Sequence, residues 1–340
     1  MVSTGLAILA ATLCSSVAVA GFMRRFAVRR NLVDVPNARS SHVSPTPRGG
    51  GVSIVAAFLS ATLLLFAIHL LDLKTTFAVM VGGGAIAGVG FLDDRRHLPA
   101  RLRFVVHVAA AVLVVAVLGG IPEHSLAAWG IRQSWIGFVL SLLVLVWATN
   151  LFNFMDGIDG IAGSESVFVG LAGAWFNWMQ GGDPGLTAAM LCLATASAGF
   201  LVWNWPPARI FMGDVGSGFL GFMLSTLALA ASRQGRIPFE VWPILGGVFV
   251  VDSTVTLVRR LIRGDRWYEP HRIHAYQHLA RRLRSHRQVT LIVIAMDAFW
   301  LMPWAWLADA FPARAGACAL ASLSPLVLLA LWVGAGKPER

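Results

Sequence analysis

Charge is what this chain has least of. Only 13% of its 340 residues are Asp, Glu, Lys or Arg, roughly half the share usual in soluble domains, which excludes an ordinary solvated surface. Cysteine is scarce: Cys14, Cys192 and Cys318 each lie inside an apolar run, with no CxxC and no pairing pattern. That excludes a disulfide framework and a thiolate metal site, and leaves three core or lipid-facing thiols. No HExxH occurs, which removes an intramembrane zinc protease. No repeat, low-complexity segment or detachable soluble domain is visible.

What the chain does have is apolar sequence. Hydrophobic residues make up 57% of it and the mean hydropathy is +0.70. The apolar runs are about 17–23 residues long, enough to cross a bilayer. Backbone groups in lipid must be satisfied within the segment, so the runs are expected to be helices. The expected fold is an all-α integral membrane protein, one polytopic domain over 1–340 with about eleven transmembrane helices and ten as the alternative count. The expected spans are 3–23, 50–71, 75–92, 104–120, 135–153, 161–179, 186–203, 217–232, 239–258, 289–309 and 316–334. The first apolar stretch, Gly5 to Met23, lacks a basic leading region and is followed by arginines, as expected of a retained helix.

The loops fall into two alternating sets. The set 24–49, 93–103, 154–160, 204–216 and 259–288, with the C-terminal tail, holds 22 of the 27 Lys and Arg residues. By the positive-inside rule these loops are cytoplasmic, with the N-terminus outside and the C-terminus inside. The membrane therefore accounts for the net charge of +10, and no nucleic-acid partner is implied.

The unusual polar residues sit in the same loops. The first reads NLVDVPNARSSHVSPTPRGGG and contains His42; the second, FLDDRRHLPARLR, contains Asp93, Asp94 and Arg103. The third, NLFNFMDGIDG, presents Asn150, Asn153, Asp156 and Asp159 at steps of three residues. The fourth, FMGDVGSGF, sets Asp214 between glycines, and the fifth, EPHRIHAYQHLARR, holds His271, Arg272 and His274. Topology alone explains most of the arginines, and Gly82, Gly83, Gly84 and Gly88 read as helix-packing positions. The acids are harder to dismiss. Of 17 Asp and Glu residues, five stand at expected cytoplasmic membrane boundaries, where they repel one another unless a cation or a proton compensates. Oxygen ligands without cysteine favour magnesium, or manganese, over zinc. Steps of three keep Asn150 and Asn153 on one slowly drifting helix face. GDVGSG offers backbone N–H groups at a helix start, a cradle for an anion, and the arginines and histidines of the last loop can approach phosphates.

These motifs, in this order from Asp34 to about Gln277, resemble the polyprenyl-phosphate N-acetylhexosamine-1-phosphate transferases. That family includes the enzymes that start O-antigen and other envelope glycans, and the phospho-MurNAc-pentapeptide transferase of peptidoglycan synthesis. The resemblance implies that Asp93 and Asp94 handle the lipid phosphate and its proton, with Asp156 a third catalytic carboxylate. It implies Asn153 and Asp214 as magnesium ligands, and substrate contacts from His42, Asn150, Asp159 and His271. Phe211 matches an aromatic that stacks on uracil. Arg103 stands at a phosphate-contacting position where lysine is usual, and Arg272 and His274 match residues implied in binding the pyrophosphate and N-acetyl sugar. The histidine run kept by the peptidoglycan enzyme becomes His274-Ala275-Tyr276-Gln277 here, and His97 stands where Lys or Asp is common. The pattern looks closer to the branch that starts O-antigen, with N-acetylfucosamine or N-acetylglucosamine as the sugar.

The implied reaction joins a UDP-N-acetylhexosamine to undecaprenyl phosphate at the cytoplasmic face of a bacterial inner membrane and releases UMP. Asp93 or Asp94 would act as base, or as nucleophile in a two-step route. Direct attack by the lipid phosphate is the preferred course, because phosphate monoesters are already largely ionised near neutral pH. The partners implied are the two substrates and the bilayer, with a homodimer left open. A transporter of lipid-linked or nucleotide sugars would instead spread polar residues through the membrane midplane. A metal-dependent prenyltransferase would leave GDVGSG and the basic last loop unexplained.

Overall fold

The protein is described from a computed structural model covering residues 2–30, 32–34, 45–96, 98–127, 129–130, 133–265 and 271–338. His42 and His97 lie outside the described residues. Sixteen α-helices follow one another among the described residues. They are α1 (Val2–Arg29), α2 (Val52–Ala67), α3 (Leu73–Phe77), α4 (Gly84–Arg96), α5 (Ala100–Leu118), α6 (Glu123–Ala127), α7 (Ser134–Met155) and α8 (Ile161–Met179). Then come α9 (Pro184–Asn204), α10 (Asp214–Arg233), α11 (Val241–Leu245), α12 (Gly247–Arg263), α13 (Ala275–Leu283), α14 (His286–Met296), α15 (Met302–Ala310) and α16 (Ala315–Val333). A π-helical stretch, Ala78–Gly83, joins α3 to α4, and another, Asp297–Leu301, joins α14 to α15. The one departure from an all-helical chain among the described residues is a minimal antiparallel pair, β1 (Val33–Asp34) on β2 (Thr46–Pro47).

Among the described residues, eight helices are long and apolar enough to cross a membrane, counting α3–α4 and α14–α15 each as one. The eleven expected spans thus reduce to eight by this measure, for three physical reasons. The helix α2 is cut to 16 residues. The helix α8 carries buried Glu165 and Asn177, which lower its apolarity. The run 239–258 is broken at Gly246 into α11 and an amphipathic α12 that ends in Arg259, Arg260 and Arg263. Leu6, Phe299, Leu328 and Trp332 point outward and exposed, as lipid-facing side chains do.

The helix α10 is the axis of the bundle. Nearly every residue from Val215 to Ser232 is buried, with α7 and α4 packed closest and α2, α8 and α9 completing the wall. Small residues make this possible in lipid, where close van der Waals packing replaces the hydrophobic effect. Gly82 and Gly83 meet Phe222 and Phe219 of α10 as the sequence leads one to expect, whereas Gly84 and Gly88 face open space. On one side α1 packs on α9 and α2; on the other α12 and α15 pack on α16. The start of α10 and the ends of α4 and α7 meet at one end of the bundle, and there the polar residues collect.

Candidate active site

The centre of the site is the first turn of α10. Gly213 precedes it with φ +77° and ψ 172°, a conformation essentially reserved for glycine. The Asp94 carboxylate accepts from the backbone N–H of Asp214 (2.9 Å) and of Val215 (3.1 Å). Part of the anion cradle expected of GDVGSG is therefore filled by the protein's own Asp94, which caps the positive end of α10. A methyl at Gly213 would stand 2.6 Å from Asp94 Oδ2. Gly213→Ala is expected to destabilise the protein by about 1–3 kcal/mol and to lower activity with it. Thermal unfolding of the variant in detergent checks this.

Around that cap the polar residues converge. Arg103 Nη1 bonds Asp93 Oδ2 and lies 3.2 Å from Asp214 Oδ2, so one guanidinium joins two carboxylates. Asp93 also accepts from the Leu98 N–H at 2.6 Å, and its carboxylate and that of Asp214 act on each other. Asn153, on the last turns of α7, donates to Ser217 Oγ (3.3 Å) and acts on the Asp214 carboxylate. Asp156 follows at the C-cap of α7. Burial first, and then the negative charges of Asp214, Asp94 and Asp159, hold its carboxyl well above the usual range. Arg48, paired with Asp34 at 2.6 Å, opposes this repulsion by acting on both Asp156 and Asp94.

Other expected site residues are placed differently. Asn150 donates to the Val146 carbonyl of its own helix (2.7 Å). Asp159 binds the Ala208 N–H (3.0 Å), meets His286 Nδ1 (3.3 Å) and accepts from Thr290 at its carbonyl (2.9 Å). It fastens the loop before α10, and α14, to the start of α8. Phe211 is half-buried. Its N–H donates to the Pro47 carbonyl and its own carbonyl accepts from Gly50, both at 2.8 Å, which stitches TPRGGG to the start of α10.

The last loop forms a second layer. His271 and His274 stack on each other, with ring centroids 4.9 Å apart, and both lie about 6 Å from Phe154. His274 is the N-cap of α13 in a reciprocal capping box with Gln277 and is almost wholly buried. Its Nδ1 lies 3.3 Å from Asp252 Oδ1, and the same carboxylate accepts from the N–H groups of Ala275 (2.8 Å) and Tyr276 (2.9 Å). The Tyr276 hydroxyl, pushed well above its ordinary pKa by burial and by Asp252, donates to the Phe154 carbonyl at 2.9 Å. A side chain at Gly157 would collide with that hydroxyl, which is why glycine follows Asp156. Arg272 is half-buried, and its carbonyl accepts from Arg281 (3.1 Å).

His271 gives a pH prediction. Burial, and then the charges of His274 and Arg260, push its imidazole down to about 3. The unfolded chain takes up this proton near the ordinary histidine value of about 6.5. Between those values the unfolded state holds more protons, so stability falls as pH drops from about 6.5 toward 3. Thermal unfolding at stepped pH should show His271→Gln losing less stability than the parent over this window.

Five residues that bond the cluster or its supports were not singled out as site residues from sequence: Arg48, Ser217, Asp252, Tyr276 and His286. Asp252 carried a signal, a lone carboxylate within VFVVDSTV, since an ionisable residue in an apolar span marks a function by default. The others become visible only through their partners.

A carboxylate cluster with two arginines thus stands at a helix start, at one end of the bundle. Comparison with known proteins gives the class: the profile described as glycosyl transferase family 4 matches residues 76–232. A "probable undecaprenyl-phosphate N-acetylglucosaminyl 1-phosphate transferase" of Bacillus subtilis is 30% identical over 277 residues, covering 80% of this chain and 76% of its own length. A "decaprenyl-phosphate N-acetylglucosaminephosphotransferase" of Mycobacterium tuberculosis is 30% identical over 305 residues, 80% of this chain and 75% of that protein. The "undecaprenyl-phosphate alpha-N-acetylglucosaminyl 1-phosphate transferase" of Escherichia coli is 27% identical over 288 residues, with 80% and 75% covered. The chain belongs to the polyprenyl-phosphate N-acetylhexosamine-1-phosphate transferase family.

Proposed function

We propose that this protein transfers N-acetylhexosamine-1-phosphate from a UDP-sugar to undecaprenyl phosphate, releasing UMP and starting a cell-envelope glycan such as O-antigen. The observation that carries the reading is the convergence of Asp93, Asp94, Asp156, Asp214 and Arg103 at the start of α10. The relatives' names favour N-acetylglucosamine as the sugar; N-acetylfucosamine is the second candidate, from the motif pattern. The site would open to the cytoplasm at the inner membrane, as the basic loops favour.

Asn153 and Asp214 would hold magnesium, or manganese in its place. The donors fit: the cluster offers oxygen ligands only, and its carboxylates outnumber its cations. Among the described residues no three His, Cys, Asp or Glu side chains form a metal cage. Magnesium commonly binds through one or two protein oxygens with phosphate oxygens and water completing the shell. When bound, the ion supplies charge neutralisation on a pyrophosphate.

The chain's own residues set up the rest. Arg103, held by Asp93, places a fixed positive charge beside Asp214 for phosphate oxygens. Asp93 keeps that arginine oriented and is available to take a proton from the lipid phosphate. Asp94 fixes the first turn of α10, so that Asp214 and Ser217 face Asn153. Arg48 adds a second cation over Asp94 and Asp156. Tyr276, bonded to Phe154, holds the basic last loop over the same pocket. Positioning and charge balance are what a phosphoryl transfer requires of its catalyst.

Purified protein given undecaprenyl phosphate, Mg²⁺ and a panel of UDP-N-acetylhexosamines should release UMP only when the lipid phosphate is present. UMP release that ignores the lipid, or none with any sugar alongside vectorial sugar flux in vesicles, would overturn the reading.

A further inference from the structure

Two carboxyl groups are buried in the helix bundle and take no part in the site described above. Glu165 lies near the start of α8, and Asp297 opens the π-helical turn inside the His286–Ala310 span. Both are 0% exposed. The wider π turn sets Asp297 inward, while Phe299, two residues on, is 83% exposed on the lipid side. Gly246, at the break between α11 and α12, packs beside Glu165: a methyl there would lie 3.9 Å from Oε1.

Each carboxyl acts on the other across the helix seam. None of their four oxygens accepts a bond from any donor among the described residues. No arginine, lysine or histidine described here acts on either group. The titratable groups on neighbouring elements are engaged elsewhere. Asp309 pairs with Gln180, Glu240 with Trp129, Asp252 with His274, and His286 with Asp159.

Two buried carboxylates that act on each other, with no donor or cation from the described residues, face both desolvation and mutual repulsion. Two carboxyls can bond one another only through a hydrogen that one of them carries. We propose that Glu165 and Asp297 form a binding site for a proton, held as a carboxylic acid O–H donated to the facing carboxylate oxygen. The site lies across the seam between α8 and the α14–α15 span. The seam has a second tie close by, where Thr290 and His286 of α14 reach Asp159 just before α8. The proton thus completes a two-point closure of a seam that borders the last loop.

Infrared spectra of the full-length protein in lipid vesicles at neutral pH test this. The parent-minus-variant difference spectrum of Glu165→Gln/Asp297→Asn should show one carboxylic-acid C=O band that belongs to the parent, and each single variant should shift or lose that same band. Gln and Asn are neutral, near-isosteric and bring their own N–H donor, so the variants are expected to fold; either single variant suffices if the double one does not accumulate. Identical acid bands in parent and variants would overturn the proposal. So would a sodium-dependent melting temperature in the parent, lost in the variants, without any acid band, because the occupant would then be a metal cation.

Discussion

Asp214→Ala should reduce UMP release by about 10³-fold or more, in line with the loss of a charge-stabilising group at a phosphoryl-transfer centre. The reason is its position. Asp214 is the carboxylate that meets Asp93, Arg103 and Asn153 at once. The same substitution should leave the fold intact, because Asp94 caps the backbone N–H of residue 214, not its side chain. Removing Asp214 also takes away the largest negative charge acting on Asp156, so the melting temperature should hold or rise. A folded variant with activity within tenfold of the parent would remove Asp214 from the proposed magnesium site. Asn153→Ala should fall in the same direction, since Asn153 is the neutral partner of that carboxylate.

Asp252→Ala should have the second largest effect, although residue 252 lies on a different layer. Its carboxylate receives two backbone N–H groups and faces His274, and it is 3% exposed. Deleting it leaves both donors at the start of α13 buried without an acceptor, at about 1–3 kcal/mol each. The last loop would then lose its register over Phe154, and a misplacement of about 1 Å can lower a rate by about 10²-fold. The variant should therefore show a lower melting temperature and a larger loss in kcat than in apparent sugar affinity. Asp252→Asn keeps one acceptor oxygen and should recover part of both. Equal stability of Asp252→Ala and the parent would show that the loop is held by other contacts.

The apolar runs were legible because a segment in lipid must close its own hydrogen bonds, and each expected span does contain helix. What hydropathy could not show was continuity. The run 239–258 reads as one span, but Gly246 divides it and α12 turns a polar face toward the last loop. The π turns at Ala78 and Asp297 are equally silent in sequence, since they alter helix winding without altering composition. Around the start of α10, the motifs marked stretches that the fold brings together and left their pairings open. Asp94 and GDVGSG were both singled out, and only the fold shows that one caps the other. Asp159 stood out as a polar residue among others, yet its ties run to His286 and Thr290, more than 120 positions away. Local spacing identifies which residues are unusual; three-dimensional contact decides which atoms they hold.

The central claim is that the bond broken lies between the two phosphates of the nucleotide sugar. The most direct measurement supplies UDP-N-acetylglucosamine labelled at the β-phosphorus, with undecaprenyl phosphate and Mg²⁺, and follows the label. Transfer of sugar-1-phosphate predicts that the label enters the lipid fraction while unlabelled UMP appears in the aqueous phase in equal amount. Label leaving as UDP, with unlabelled sugar on the lipid, would contradict it.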